Sequence, residues 1–176
     1  MTAEEVAVVV DRRQSTITGR YGFDRSYVRR EPMSVFIPVF STPAGERTSP
    51  SVSIGVRKLR ADTVPSGLSA ELSKALNIVR PRGSVVHWYK VLIPGRAAAS
   101  NFRLDVSYTQ PNFASNTACY LPLWPPHNNA KVTFEAAEGL GLVRTGFFSG
   151  FSAPARRMVF IPSHGRLLSV RWRETR

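Results

Sequence analysis

The stretch SVVHWYKVLIPG, Ser84 to Gly95, decides the fold class. Val85, His87, Tyr89, Val91 and Ile93 alternate with Val86, Trp88, Lys90 and Leu92, and both sets are largely apolar. β-Branched and aromatic residues at period two make a strand. Apolar residues on both of its faces place that strand in the middle of a two-layer core. The turn RPRG precedes it and Pro94-Gly95 stops it.

Working outward, the same alternation recurs. FRLDVSY, Phe102–Tyr108, follows a small-residue loop, and the two segments are expected to form an antiparallel pair. Val52–Leu59 reads as one half-buried strand, and MSVFIPVF, Met33–Phe40, as an edge or bulged strand because of Pro38. Lys131–Ala136 is a strand, Gly139–Phe151 is a glycine-punctuated one, and Met158–Pro162 with Leu167–Trp172 is expected to close the chain as a pair. One helix stands out: Leu68, Leu72, Leu76 and Val79 recur at helical spacing after Ser66, the expected N-cap, so a leucine face is expected to cover a sheet opening. Proline-, glycine- and asparagine-rich loops join these segments. The pattern is all-β, an antiparallel sandwich or barrel with one short helix, over residues 32–176. Residues 1–31 read as a basic N-terminal arm with one candidate strand at Val6–Val10, in which Arg12, Arg13, Arg20, Arg25, Arg29 and Arg30 are interleaved with Tyr21, Phe23 and Tyr27.

The 176 residues suffice for one domain with a real core. They carry 24 Lys+Arg against 12 Asp+Glu, a formal net charge of +12, and only Lys58, Lys74, Lys90 and Lys131 are lysines. Arginine makes planar, bidentate contacts with phosphate and stacks on bases, so the excess points to nucleic acid, or less often to an anionic membrane; the expected partner is single-stranded nucleic acid, RNA before DNA. A G+C-rich gene also raises arginine over lysine with no binding role. The second basic cluster is Arg156, Arg157, Arg166, Arg171, Arg173 and Arg176; a smaller group is Arg57, Lys58, Arg60, Arg80 and Arg82. The expected contact residues are Arg12, Arg13, Arg20, Arg25, Arg29, Arg30, Arg156, Arg157, Arg171 and Arg173. Arginine is also enriched at subunit interfaces, so the same residues suit contacts between copies.

No catalytic signature is present. His87, His127 and His164 lie at no metal-ligand spacing, so no metal, cofactor or small-molecule substrate is expected. A lone cysteine, Cys119, excludes an internal disulfide, and a Cys119–His127 nucleophile pair has no motif behind it. Asp105 is expected to pair with Arg103 or a cross-strand arginine. Neither a signal peptide nor a run long enough to span a membrane is found. Trp88, Phe113, Trp124, Phe147 and Phe148 are expected at the surface, where they would favour self-association.

The basic, aromatic-bearing arm, the helix SGLSAELSKALN, the pair VVHWYKVLIPG and NFRLDVSYTQP, and the loop YLPLWPPHNN together resemble the small single jelly-roll coat proteins of plant and other RNA viruses. The resemblance covers most of the chain in pattern, with no single specific motif. It implies a jelly-roll-like sandwich, a homo-oligomeric capsid, packaging of genomic RNA, and residence in the virion and, before assembly, the host cytoplasm. The acidic and apolar first eleven residues, and the lack of a dense Arg/Lys run, depart from that pattern. Plant-virus movement proteins of the thirty-kilodalton type are the alternative: Asp105 in FRLDVSYTQ is similar to their strand aspartate, although the residues after it differ. A cellular β-barrel RNA-binding protein is a third reading, and an enzyme the weakest.

Overall fold

Period-two patterning gives thirteen strands among the described residues: β1 (Ala3–Val10), β2 (Gln14–Phe23), β3 (Met33–Ser41), β4 (Ser51–Ile54), β5 (Arg57–Leu59), β6 (Ala61–Thr63), β7 (Val85–Ile93), β8 (Phe102–Pro111), β9 (Thr117–Tyr120), β10 (Ala130–Ala136), β11 (Leu140–Arg144), β12 (Arg157–Phe160) and β13 (Leu168–Glu174). A single helix, α1 (Ser66–Ala75), joins β6 to β7. This computed structural model describes residues 3–23, 32–45, 48–95, 101–113, 116–122, 130–144, 153–161 and 167–175.

A seven-stranded sheet runs in the order β12-β10-β1-β2-β8-β4-β5. Two three-stranded sheets, β3-β7-β6 and β11-β13-β9, share a core with it. That core takes Val6, Val8, Ile17, Leu104 and Phe134 from the large sheet. The small sheets supply Val35, Ile37, Val91, Leu142 and Val170. The chain is an all-β sandwich.

The quoted stretch is β7, central in its sheet between β3 and β6. One face sends Tyr89, Val91 and Ile93 into the main core. The other face is apolar only where it is covered. Val86 and Trp88 join Phe40, Val64, Phe113, Cys119 and Leu121 in a second cluster, with Leu72 and Ile78 packed against it. Further along the same face Lys90 and Leu92 are exposed.

Several expectations need correction. The N-terminal segment is not an arm over its described part. β1 and β2 pair with each other through Ala3↔Gly22 to Val10↔Ser15, and lie in the interior of the large sheet. Val6, Val8, Val10, Ile17, Tyr21 and Phe23 are buried. Each such side chain stabilises the fold by roughly 1.5–3 kcal/mol, which an extended arm would forgo. Alternation resolves the apparent conflict with charge, since Arg20 and Arg12 stay exposed while the aromatics on the opposite phase turn inward. The ring of Tyr21 lies over Gly19, where an added Cβ would sit 2.5 Å from the phenolic oxygen.

β7 and β8 do not pair. β7 already has β3 and β6 as neighbours, and β8 has β2 and β4, so the connection crosses between layers instead of making a hairpin. Met158–Pro162 and Leu167–Trp172 part in the same way. β12 joins β10 in the large sheet, and β13 joins β11 and β9. Val52–Leu59 is a hairpin of two short strands turned at Gly55, whose φ of 55° favours glycine, with Val56 wholly exposed. The sheets are antiparallel except for β1 and β10, which run parallel from Glu4↔Ala130 to Val10↔Ala136. Ser66 is the first helical residue rather than the cap; Pro65 holds the cap position with no side-chain hydrogen bond. Trp88 and Phe113 are buried, and Trp124, Phe147 and Phe148 lie outside the described residues.

Candidate functional site

Parts of the two arginine clusters, distant in sequence, meet at one end of the sandwich, while Arg166 and Arg176 lie outside the described residues. The β1–β2 turn carries Arg12 and Arg13. The N–H of Ala137 donates to the carbonyl of Val10 at 2.9 Å, which brings the β10–β11 turn to the same end. The N–H of Ala136 donates to the carbonyl of Arg156 at 2.8 Å, and that of Thr175 to the carbonyl of Gly139 at 2.9 Å. These bonds set the start of β12 and the close of β13 beside the turn. Arg12 seals the junction: its Nε lies 3.0 Å from Glu174 Oε1, both side chains being largely exposed. An exposed pair of this kind contributes about 0.2–1 kcal/mol.

This end therefore gathers Arg12, Arg13, Arg156 and Arg157, with Arg171 and Arg173 following along β13. Carboxylates are present too. Glu174 holds Arg12, and Glu135 lies 3.4 Å from Arg157 Nε. Arg13, Arg156 and Arg171 are exposed and enter no ion pair among the described residues. Arg20 is not part of this group. It stands on the outer face of the large sheet, in a row that reads Lys131, Glu5, Arg20, Asp105, Ser53, Lys58 across six strands. Signs alternate from Lys131 to Asp105, so Arg20 is flanked by Glu5 and Asp105 and its charge is offset within the row. Asp105 has the expected role, 3.2 Å from Arg103 Nε and 3.9 Å from Arg20 Nε. Arg25, Arg29 and Arg30 lie outside the described residues.

His87 and Cys119 are held by their neighbours. His87 Nε2 shares a 2.8 Å hydrogen bond with Ser41 Oγ. Cys119 is fully buried, and burial pushes its thiol up to about 12, against the lowering effect of Gln110. That is the reverse of what a nucleophile needs, and His127 lies outside the described residues. Among the described residues no three His, Cys, Asp or Glu side chains gather as a metal site. No described helix is long and apolar enough to cross a membrane.

Sequence reading missed a polar network inside the core. The Tyr120 hydroxyl donates to Glu4 Oε1 at 2.8 Å and shares a 2.9 Å bond with the Tyr21 hydroxyl. Burial raises the phenols of Tyr21, Tyr108 and Tyr120. The charge of Glu4 adds to this for Tyr21, as do Tyr21, Cys119 and Glu4 for Tyr108, and Tyr21, Glu4 and Tyr108 for Tyr120. The signal was there in outline, since Glu4 and Val6 share the phase of the buried strand face.

No family model and no curated protein matches the chain. Among solved structures it is similar to a "putative nutrient binding protein" of Legionella pneumophila, with a TM-score of 0.50 and 8% identity over 98% of this chain and 66% of that one. The chain thus spans just under two thirds of that protein's length, and at such identity the likeness concerns the fold alone.

Proposed function

We propose that this chain is a coat-type structural protein, which associates with copies of itself and contacts single-stranded nucleic acid through the arginines at one end of the sandwich. The observation that carries the reading is the convergence of Arg12 and Arg13 with Arg156 and Arg171 from the far end of the chain, three of them outside any ion pair among the described residues. Guanidinium groups left without an internal partner are available to phosphates, and such contacts tolerate any base sequence. Exposed Leu68, Leu76, Val79 and Leu92 support the self-association half of the proposal, because a second copy would bury them.

Light scattering with electron microscopy, with and without single-stranded RNA at low salt, tests it. Closed particles support the coat reading. Threads of RNA coated by small species would move the function to the movement-protein type, and small species indifferent to RNA would refute the proposal.

A further inference from the structure

The helix α1 sets two serines, Ser69 and Ser73, half-buried beside Leu72 on the side that packs toward the sheet. Ser66, Ser69 and Ser73 recur at i, i+3 and i+7, a single face of a helix. All three line a cleft of about 490 Å³ between α1 and the start of β7. The leucines that were expected to cover the sheet do so only at Leu72, while Leu68 and Leu76 are 45% and 51% exposed. A helix that half-buries Ser69 and Ser73 beside Leu72 while leaving Leu68 and Leu76 largely in solvent forgoes part of the burial its leucines could make. Such local rule-breaking concentrates at functional sites.

The lining has two chemistries. Lys74 and Arg80 stand at the cleft with the serines and Thr63, and no carboxylate is among the lining residues. Val64, Ala70, Ile78, Val85 and Val86 supply the apolar wall. The site is also held in shape. Trp88 Nε1 donates to Ser73 Oγ at 3.0 Å, Ser73 Oγ donates to the Ser69 carbonyl at 2.8 Å, and His87 is fixed by Ser41. The hydroxyls of Ser66 and Ser69 take no protein partner among the described residues. The volume lies within the range of small-ligand pockets, which combine an apolar wall with a few convergent polar groups. Cations with hydroxyl donors suit a phosphate, and an apolar wall suits the flat body of a base.

From the serine face of α1, Lys74 and Arg80 at its rim and the apolar wall, we infer that this cleft binds a small phosphate monoester with a planar ring, of the nucleoside monophosphate class. The inference goes beyond the coat reading, because the cleft lies at α1 and shares no residue with the arginine end. Loss of RNA binding there leaves it untouched.

The test is calorimetric titration of the full chain with adenosine monophosphate, adenosine and inorganic phosphate separately. Adenosine monophosphate is expected to bind more tightly than either part, and Lys74→Ala with Arg80→Ala to weaken it about tenfold or more. Both side chains are exposed, so that variant keeps the wild-type melting temperature. Ser69→Leu, which fills the cleft, is expected to abolish binding. Failure of adenosine monophosphate to bind at millimolar concentration, unchanged affinity in the double variant, or phosphate binding as tightly as the nucleotide would each overturn the inference.

Discussion

Raising the pH should dismantle this fold from the inside. Tyr21, Tyr108 and Tyr120 are buried phenols, all held above their ordinary value of 10.0, and Cys119 is held above its ordinary 9.0. A folded-state value that is raised means stability fully present below the unfolded value and lost as pH climbs toward the folded one. Between those values the unfolded chain sheds a proton that the native chain keeps. Each such group then costs about 1.4 kcal/mol per pH unit. The thiol begins the loss near pH 9.0, and the three phenols join it near 10.0, giving a combined slope of about 5 kcal/mol per unit for four groups. A domain stable by about 5–15 kcal/mol would fail within roughly one to three units of that onset. The assay is urea unfolding at a series of pH values, read alongside the near-ultraviolet absorbance of tyrosinate. Unfolding and the ionisation of these three tyrosines should occur together, as one cooperative step. Ionisation of all five tyrosines near pH 10.0 in a chain that stays folded would refute the reasoning.

Tyr120→Phe removes the donor to Glu4 and the bond to Tyr21, and should cost about 2–4 kcal/mol in urea unfolding at neutral pH; a loss below about 0.5 kcal/mol would show that the network adds nothing. Native Cys119 should resist thiol reagents at pH 8 and react only as fast as the chain opens, so rapid labelling of folded protein would contradict its burial. Arg156→Ala with Arg171→Ala should flatten the salt dependence of single-stranded RNA binding by about 1.4 logarithmic units, and an unchanged slope would remove that end from the interface. Leu68→Ser with Leu76→Ser should raise the concentration needed for self-assembly while leaving the melting temperature intact; assembly at the wild-type threshold would place the subunit contact elsewhere.

Local pattern was legible where one rule acted alone. The two-faced apolar run at Val85–Ile93 announced a central strand, and β7 is one. FRLDVSY announced an alternating strand, and β8 extends it to Pro111. Partner choice was another matter, because pairing depends on which sheet edge is open and not on which strand comes next. Nothing within Phe102–Tyr108 records that β2 and β4 will flank it. The N-terminal misreading had a different origin. Counting arginines between Arg12 and Arg30 treats the segment as a unit, whereas a strand divides it by phase. The outward residues kept their charge, and the inward ones supplied Ile17, Tyr21 and Phe23 to the core. The convergence of Arg12 with Arg156 followed from that integration, through the parallel pairing of β1 with β10.

The helix shows why two stripes in one sequence do not rank themselves. SGLSAELSKAL carries a leucine stripe and a serine stripe, both at helical spacing. Apolar burial alone selects the leucines. The sheet beneath, however, already has Phe40, Phe113 and Leu121 around Val86 and Trp88, and Phe36, Leu72, Ile78 and Leu167 close the second cluster, so α1 contributes one leucine to it. With that closed, rotation of the helix is set by Trp88 Nε1, whose hydrogen bond to Ser73 would be lost if the leucines turned inward. A buried indole donor left without a partner costs about 1–3 kcal/mol, comparable to burying one half-exposed leucine. The balance is close enough that an external demand on either stripe would decide it. The ligand inferred for the serine side and the neighbouring subunit proposed for the leucine side would pull the same way.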